Sequence, residues 1–537
     1  MGRGLLRRKP LEQMIAEAGP SGTDPGTGAE PGTGAGLERT MGLGQLTLLG
    51  ISSVIGTGIF FVLGTTVPDA GPGVVLSFVL AAAVAGLAAL CYVELAGAIP
   101  VAGSTYSYAY ASLGEGAAYL VAWCLILEYG VAASTVAVSW GQYLNEVGDA
   151  VFGVTLPDAI SQPPGAGGYV NIPALVVVLL CSLLLARGTR ESARVNAVMV
   201  CIKIGVLVLF VVVALTAFDA DRFSDFAPHG IGGIGLAAAG VFFSYVGFDA
   251  VATASEEVRN PRRTIPLALL LTLASVTVLY IAVAFAGVGA QPAARFGEQA
   301  DAGEAVLAEI LRGASESGWP ALVLSAGAVV SIFSVVLVTL FGQTRILFAM
   351  ARDGLVPQIF RRVDRQRHTP VGNTWIVGAG VGTLAALVPL QSLADLTSMG
   401  TLIAFVAVAA AVVVLRRIAP DVARPFKVPF YPVVPVLCAV SCLYLAYLLP
   451  GLTWLLFGGW LLLAAGLYLG FGRRRGPRQD GDGDAVSGAG RSEGSVESDE
   501  AGEAAPVRAG AAVPRPAESA AHRLDHPAPG DLPPPRA

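Results

Sequence analysis

The chain has 537 residues, is 54% hydrophobic and only 14% charged, where a soluble domain carries about 25% charged residues, so a water-soluble globular protein is excluded. A mean hydropathy of +0.66 points instead to an all-α polytopic membrane protein, with helix packed on helix in lipid. The net charge of −5 is no guide to partners, because many acids sit in the C-terminal tail, and nothing suggests nucleic acid.

Residues 1–40 are Gly/Pro-rich and polar, the composition of a disordered tail, and contain no apolar core of a cleavable signal peptide. The first membrane helix is then its own targeting signal. Residues 473–537 have a similar composition and read as a second disordered tail. Between them, residues 41–472 form the transmembrane domain. It holds about twelve apolar spans near the ~20 residues a bilayer requires: 43–66, 73–98, 117–144, 171–187, 194–218, 231–254, 266–289, 319–348, 374–390, 397–415, 431–449 and 452–471. The connection at 99–115 is expected to hold an interfacial helix.

Basic residues set the orientation. With the N-terminus inside, the predicted cytoplasmic connections carry Arg187, Arg190 and Arg194; Arg259, Arg262 and Arg263; six arginines between Arg345 and Arg367; Arg416, Arg417, Arg424 and Lys427; and Arg473 to Arg475. The predicted outer loops offer Arg222, Arg295 and Arg312. This asymmetry predicts both termini in the cytoplasm, and the plasma membrane is the expected location.

Spans 1 and 6 are interrupted. The first reads Ser53-Val54-Ile55-Gly56-Thr57-Gly58 at its middle, the second Phe242-Phe243-Ser244-Tyr245-Val246-Gly247-Phe248-Asp249. A pair of Gly-broken spans at corresponding positions points to a transporter's substrate site, and the spacing fits two five-helix repeats of inverted topology, spans 1–5 and 6–10. Unwinding at Gly56, Thr57 and Gly58 exposes amides at the start of a half-helix, whose dipole favours a carboxylate. Close packing through small residues is the alternative for these glycines. At span 6, freed carbonyls can accept from an ammonium, and Phe243 or Phe248 can close over a ligand. Opposed donors and acceptors suit a zwitterion.

Of the lysines Lys9, Lys203 and Lys427, Lys203 alone lies within a span. A charge at that depth costs several kcal/mol unless paired or hydrated, which suggests a proton carrier. Snorkelling to the cytoplasmic interface is the alternative, over ~13 Å of helix from Arg194. Glu94 and Glu128 are expected to pair internally, with gating or coupling as the other option. Asp249 suits capping or hinge support, and Glu256, Glu257 and the arginines after them a cytoplasmic gate or topology determinant. Cys91, Cys124, Cys181, Cys201, Cys438 and Cys442 read as small buried hydrophobes. Neither a metal site, a cofactor nor a nucleophile–base pair is expected, so the chain does not read as an enzyme.

Runs such as LERTMGLGQLTLLGISSVIGTGIFF, LCYVELAGAIPVAGSTYSYAYASLGE, FFSYVGFDAVATASEEVRNPRRTIP and RPFKVPFYPVVP resemble amino acid–polyamine–organocation transporters, especially the cationic amino acid transporter group, over about 38–471. The resemblance implies uptake of L-amino acids by alternating access. It implies that the carboxylate binds the amides of Gly56, Thr57 and Gly58, and the amine the carbonyls of Val54, Phe243, Ser244 and Val246. It also matches Lys203 to the span 5 lysine of proton-coupled relatives, which makes proton symport the expected coupling. An exchanger or facilitator without proton coupling, or a transport-dead amino acid sensor, are the rival readings. Ser331, Ser334 and Thr339 on span 8 leave the side-chain wall uncharged, which favours small neutral amino acids, with a larger, wet pocket that admits a cation as the alternative.

Overall fold

The computed structural model describes Arg8 and residues 41–56, 58–99, 104–187, 193–253, 258–364 and 369–470, without the side chains of 104, 193–196, 253 and 470. The chain divides into two units, Met1–Arg478 and Gln479–Ala537. The second unit and the N-terminal tail other than Arg8 lie outside the described residues, as do Thr57, Arg190, Glu256, Glu257, Arg365, Arg367 and Arg473 to Arg475.

Every named element of the described residues is helical, and the single isolated bridge joins Met41 to Val258. In lipid a backbone must satisfy its own N–H and C=O groups, which long helices do. Eight helices among the described residues are long and apolar enough to cross a membrane, and four shorter apolar helices accompany them. The chain is therefore a multi-pass membrane protein.

In chain order, α1 (Leu43–Val54) and α2 (Val62–Ala70) flank the first break, and α3 (Val74–Ala98) follows a 3-10 turn at Gly71–Gly73. The connection after α3 holds α4 (Ser104–Ser112), the helix expected there. Next, α5 (Glu115–Ile126) passes through a π-turn, Leu127–Val131, into α6 (Ala132–Phe152). Hydropathy does not reveal this turn, because one extra residue leaves the span apolar. A one-turn helix, α7 (Asp158–Ser161), precedes α8 (Ile172–Arg187) and α9 (Ala193–Ala214). The second break separates α10 (Gly230–Val241) from α11 (Ala250–Thr253). Then come α12 (Pro261–Ala290), α13 (Ala293–Asp301), α14 (Val306–Ala314), α15 (Trp319–Arg352), α16 (Val371–Leu387), α17 (Leu390–Ile418), α18 (Val433–Leu448) and α19 (Gly451–Gly470).

Two packing facts position the site. Helix α12 lies along both α1 and α3, and α9 lies against α1 and α15. The α9–α15 contact depends on Gly327, where a methyl group would collide with Val206. Such small-residue contacts let helices approach closely where no hydrophobic gradient drives association. Five of the six cysteines are buried as expected, but Cys201 is exposed, because it sits on the outward face of α9 with Val198, Val208 and Val212.

Candidate functional site

The first break is built from Ile55 to Phe61. Ile55 turns extended (φ −70°, ψ 117°) after closing α1 with a bond to the Ile51 carbonyl. Gly56 follows at φ +113°, a region open to glycine and strained for other residues. Its missing side chain also makes room for span 8: a Cβ there would lie 2.9 Å from Val335 Cγ2. Thr57 lies outside the described residues. The Gly58 carbonyl then accepts from the amides of Phe61 (3.0 Å) and Val62 (2.9 Å), which starts α2. The first amides of a helix have no partner within it, so this turn presents N–H groups at the positive end of the α2 dipole.

The second break repeats the device. After α10 the chain tightens into a 3-10 turn, Phe242–Tyr245, then Val246 is extended (φ −61°, ψ 140°) and Gly247 takes φ +101°. The two breaks meet. A Cβ on Gly58 would lie 2.8 Å from Ser244 Cα and 2.9 Å from Phe243 Cδ1, and one on Gly247 would lie 3.0 Å from the Ser53 carbonyl. The rings of Phe61 and Phe243 are 5.6 Å apart. The sequence-predicted residues Val54, Gly56, Gly58, Phe243, Ser244 and Val246 thus gather at one buried place.

Two of the expected carbonyl acceptors are already engaged. Val54 O accepts from the Tyr280 hydroxyl of α12 at 3.1 Å, and Phe243 O accepts from the Val246 amide at 3.1 Å. A carbonyl has two lone pairs, so an ammonium would share these oxygens rather than find them vacant. The Ser244 hydroxyl, by contrast, is buried with no hydrogen-bond partner. Such a group costs about 1–3 kcal/mol of desolvation unless something binds it. Tyr280 and Tyr143, whose hydroxyl donates to the Phe60 carbonyl at 2.7 Å, escaped sequence reasoning. Their one signal was a tyrosine within an apolar span, near its end for Tyr143.

Lys203 is fully buried on α9. Its Nζ donates to the Ser52 carbonyl (2.7 Å) and Ser52 Oγ (3.3 Å), two residues before α1 ends. The snorkelling alternative is therefore excluded: the amine points to the broken helix, not to an interface. On α15, Ser331 donates to the Gly327 carbonyl (2.6 Å) and Thr339 to the Val335 carbonyl (2.8 Å), while the Ser334 hydroxyl is buried without a partner.

The membrane acids divide. Glu94 accepts from Arg416 Nε (2.7 Å) and Nη2 (2.5 Å) and from the Val428 amide (2.7 Å), with Arg424 at 3.5 Å. This forked pair ties α3 to the end of α17 and the segment after it. Asp249 accepts from the Tyr129 hydroxyl at 3.3 Å. Glu128 sits within the π-turn, buried, where Thr401 of α17 is a polar neighbour and neither carboxylate oxygen has a well-formed hydrogen bond among the described residues. Among the described residues no cluster of three or more His, Cys, Asp or Glu could hold a metal ion.

A family profile described as amino acid permease matches residues 41–467. The chain is 41% identical to a methylthioribose transporter of Bacillus subtilis, over 88% of this chain and 98% of that protein. It is 40% identical to the branched-chain amino acid permease BcaP of the same organism, over 88% and 99%. It is also 34% identical to a vacuolar cationic amino acid transporter of Arabidopsis thaliana, over 72% and 64%. With its two meeting helix breaks and a match across the whole helical region, the chain belongs to the amino acid permease family of the amino acid–polyamine–organocation superfamily of transporters.

Proposed function

We propose that this chain imports small neutral L-amino acids across the plasma membrane by proton symport, with alternating access around the breaks of spans 1 and 6. The observation that carries the reading is the Lys203 ammonium on the Ser52 carbonyl, one half-turn before the break where the substrate would bind. The substrate carboxylate docks on the amides of Gly56, Thr57 and Gly58, and its amine on the carbonyls of Val54, Phe243, Ser244 and Val246. Charging Lys203 strengthens its hold on α1 and fixes the break in a binding shape; losing the proton loosens α1.

The same reading has twelve crossings in a five-plus-five inverted repeat, both termini cytoplasmic, and tails at 1–40 and 473–537 outside the transmembrane domain of 41–472. The paired positive-φ glycines, Gly56 and Gly247, support the repeat. The neutral preference is supported by the contacts at Gly56 and Gly58, which are Val335, Phe243 and Ser244. BcaP, named for branched-chain amino acids, agrees with it.

Uptake into proteoliposomes, with and without an inward proton gradient, tests the coupling in wild type and Lys203→Ala. Stimulation that vanishes in the variant is expected. Uptake indifferent to the gradient but dependent on internal amino acid would replace symport by exchange. Competition by neutral and cationic amino acids and methylthioribose in the same assay reads the specificity. Inhibition by methylthioribose alone would overturn the amino acid reading.

A further inference from the structure

The first break is held by a phenol on each side. Toward α1, the Tyr280 hydroxyl of α12 donates to the Val54 carbonyl at 3.1 Å. Toward α2, the Tyr143 hydroxyl of α6 donates to the Phe60 carbonyl at 2.7 Å. Both tyrosines are fully buried, where a hydroxyl left without a partner costs more than the bond itself contributes. The Tyr143 ring also meets the Phe60 ring edge-on, with centroids 5.6 Å apart. The Tyr280 ring meets Tyr245 of the second break, with centroids 5.5 Å apart.

The two bonds differ in what they join. Helix α12 lies along α1 and α3, so Tyr280 and the carbonyl it holds belong to one packed group. That group extends to α2 through α10, which lies along both α2 and α3. Tyr143 comes from outside it. Helix α6 lies along α15 and α8, and the Trp140 indole, one turn before Tyr143, donates to the Val329 carbonyl of α15 at 3.0 Å. The Tyr143–Phe60 bond therefore crosses from the α6–α15 group to the group that carries the breaks. Ile59, Phe60 and Phe61, on the outer side of the break in the proposed topology, are at most 4% exposed, so the bond is made with that side closed.

We propose that Tyr143 and Tyr280 are positioning residues with separate roles. Tyr280 keeps the shape of the break in every state, whereas Tyr143 ties the break to α6 only while the outer side is closed. Opening to the outside moves α2 away from α6 and breaks the Tyr143–Phe60 bond, while Tyr280 travels with α1. A contact shifts an equilibrium only by the difference it makes between the two states. The Tyr143 bond thus favours the outward-closed state, and the Tyr280 bond favours neither. This division rests on the alternating-access reading.

The test compares Tyr143→Phe with Tyr280→Phe in the full chain, in liposomes of known orientation, each variant checked for a single peak in size exclusion. Val335→Cys, beside Gly56, reports access to the break from outside through its rate of reaction with a membrane-impermeant thiol reagent, read above the native cysteines. Tyr143→Phe is expected to raise that rate ~5-fold, as loss of one hydrogen bond from the closed state alone gives. It also lowers the external KM for a labelled neutral amino acid, because the outward-open form is more populated. Tyr280→Phe is expected to leave the labelling rate unchanged and to raise KM, because the Val54 carbonyl loses its fixed direction. Equal labelling rates in Tyr143→Phe and its parent overturn the tie. An increase in Tyr280→Phe as large as in Tyr143→Phe overturns the division of roles, and so does a loss of thermal stability in both with labelling and KM unchanged. Wild type that takes up no amino acid, while Tyr143→Phe still speeds labelling, removes the proposed substrate and leaves the tie standing.

Discussion

Replacing Gly56 by alanine separates the two demands that the first break places on one residue. The backbone there has φ +113°, and holding an L residue in such a region costs about 1–3 kcal/mol. The new Cβ would also lie 2.9 Å from Val335 Cγ2, and overpacking of that kind costs about 1–3 kcal/mol. The sum, roughly 2–6 kcal/mol, is enough to favour a rearranged break over the native one by at least ~30-fold, since 1.4 kcal/mol is a factor of ten. Gly56→Ala is therefore expected to lower the melting temperature and abolish uptake of a labelled neutral amino acid in proteoliposomes. Truncating the neighbour distinguishes the two terms. Gly56→Ala with Val335→Ala relieves the collision but not the dihedral, so it recovers part of the stability and little of the uptake. Wild-type uptake and stability in Gly56→Ala would refute the reasoning outright. Full recovery in the double variant would show that packing alone, not the backbone conformation, makes glycine necessary.

Other expectations follow from particular contacts. Ser244→Ala removes an unpartnered buried hydroxyl beside Gly58; if that hydroxyl meets substrate, KM rises up to ~10-fold with no loss of thermal stability, as fits one hydrogen bond of about 1 kcal/mol. Unchanged KM with a gain in stability would mark the hydroxyl as a plain defect. Glu94→Gln breaks the forked pair with Arg416 and is expected to destabilise the protein by ~3 kcal/mol, read as a drop in melting temperature. On the connection between α13 and α14, burial and the neighbouring Glu309 push the Glu304 carboxyl up, opposed by Arg312. The folded chain then holds that proton more tightly than the unfolded chain does. The resulting stability is full at low pH and lost as pH rises through the raised folded value. Glu304→Gln should flatten that decline, and a melting curve with unchanged pH dependence would show the shift to be without consequence.

Much of the site was legible because lipid imposes strong rules. Glycines in the middle of apolar spans conflict with helix propensity, so Gly56 and Gly247 stand out in the sequence. Lys203 stood out for the same reason, a lone cation among Val, Ile and Leu. The partners were not legible. Hydropathy places Lys203 in a span but does not say that it reaches Ser52, 151 residues away. Nor does it say that Tyr280 would occupy the Val54 carbonyl from 226 residues away. Glu94 and Glu128 look alike in sequence, each an acid in an apolar run. One is forked by Arg416 and the other has no well-formed hydrogen bond among the described residues, a difference set by helix packing alone. The π-turn left no trace in hydropathy either, since one inserted residue changes neither the length nor the composition of a long span perceptibly.

The central claim is that substrate and proton enter together through the joined breaks, with Lys203 as the coupling charge. Simultaneous recording of labelled neutral amino acid and of proton entry into liposomes tests it most directly. The account predicts a fixed ratio of the two in wild type and no substrate-driven proton entry in Lys203→Ala. Amino acid entry without protons in the wild-type protein would contradict it.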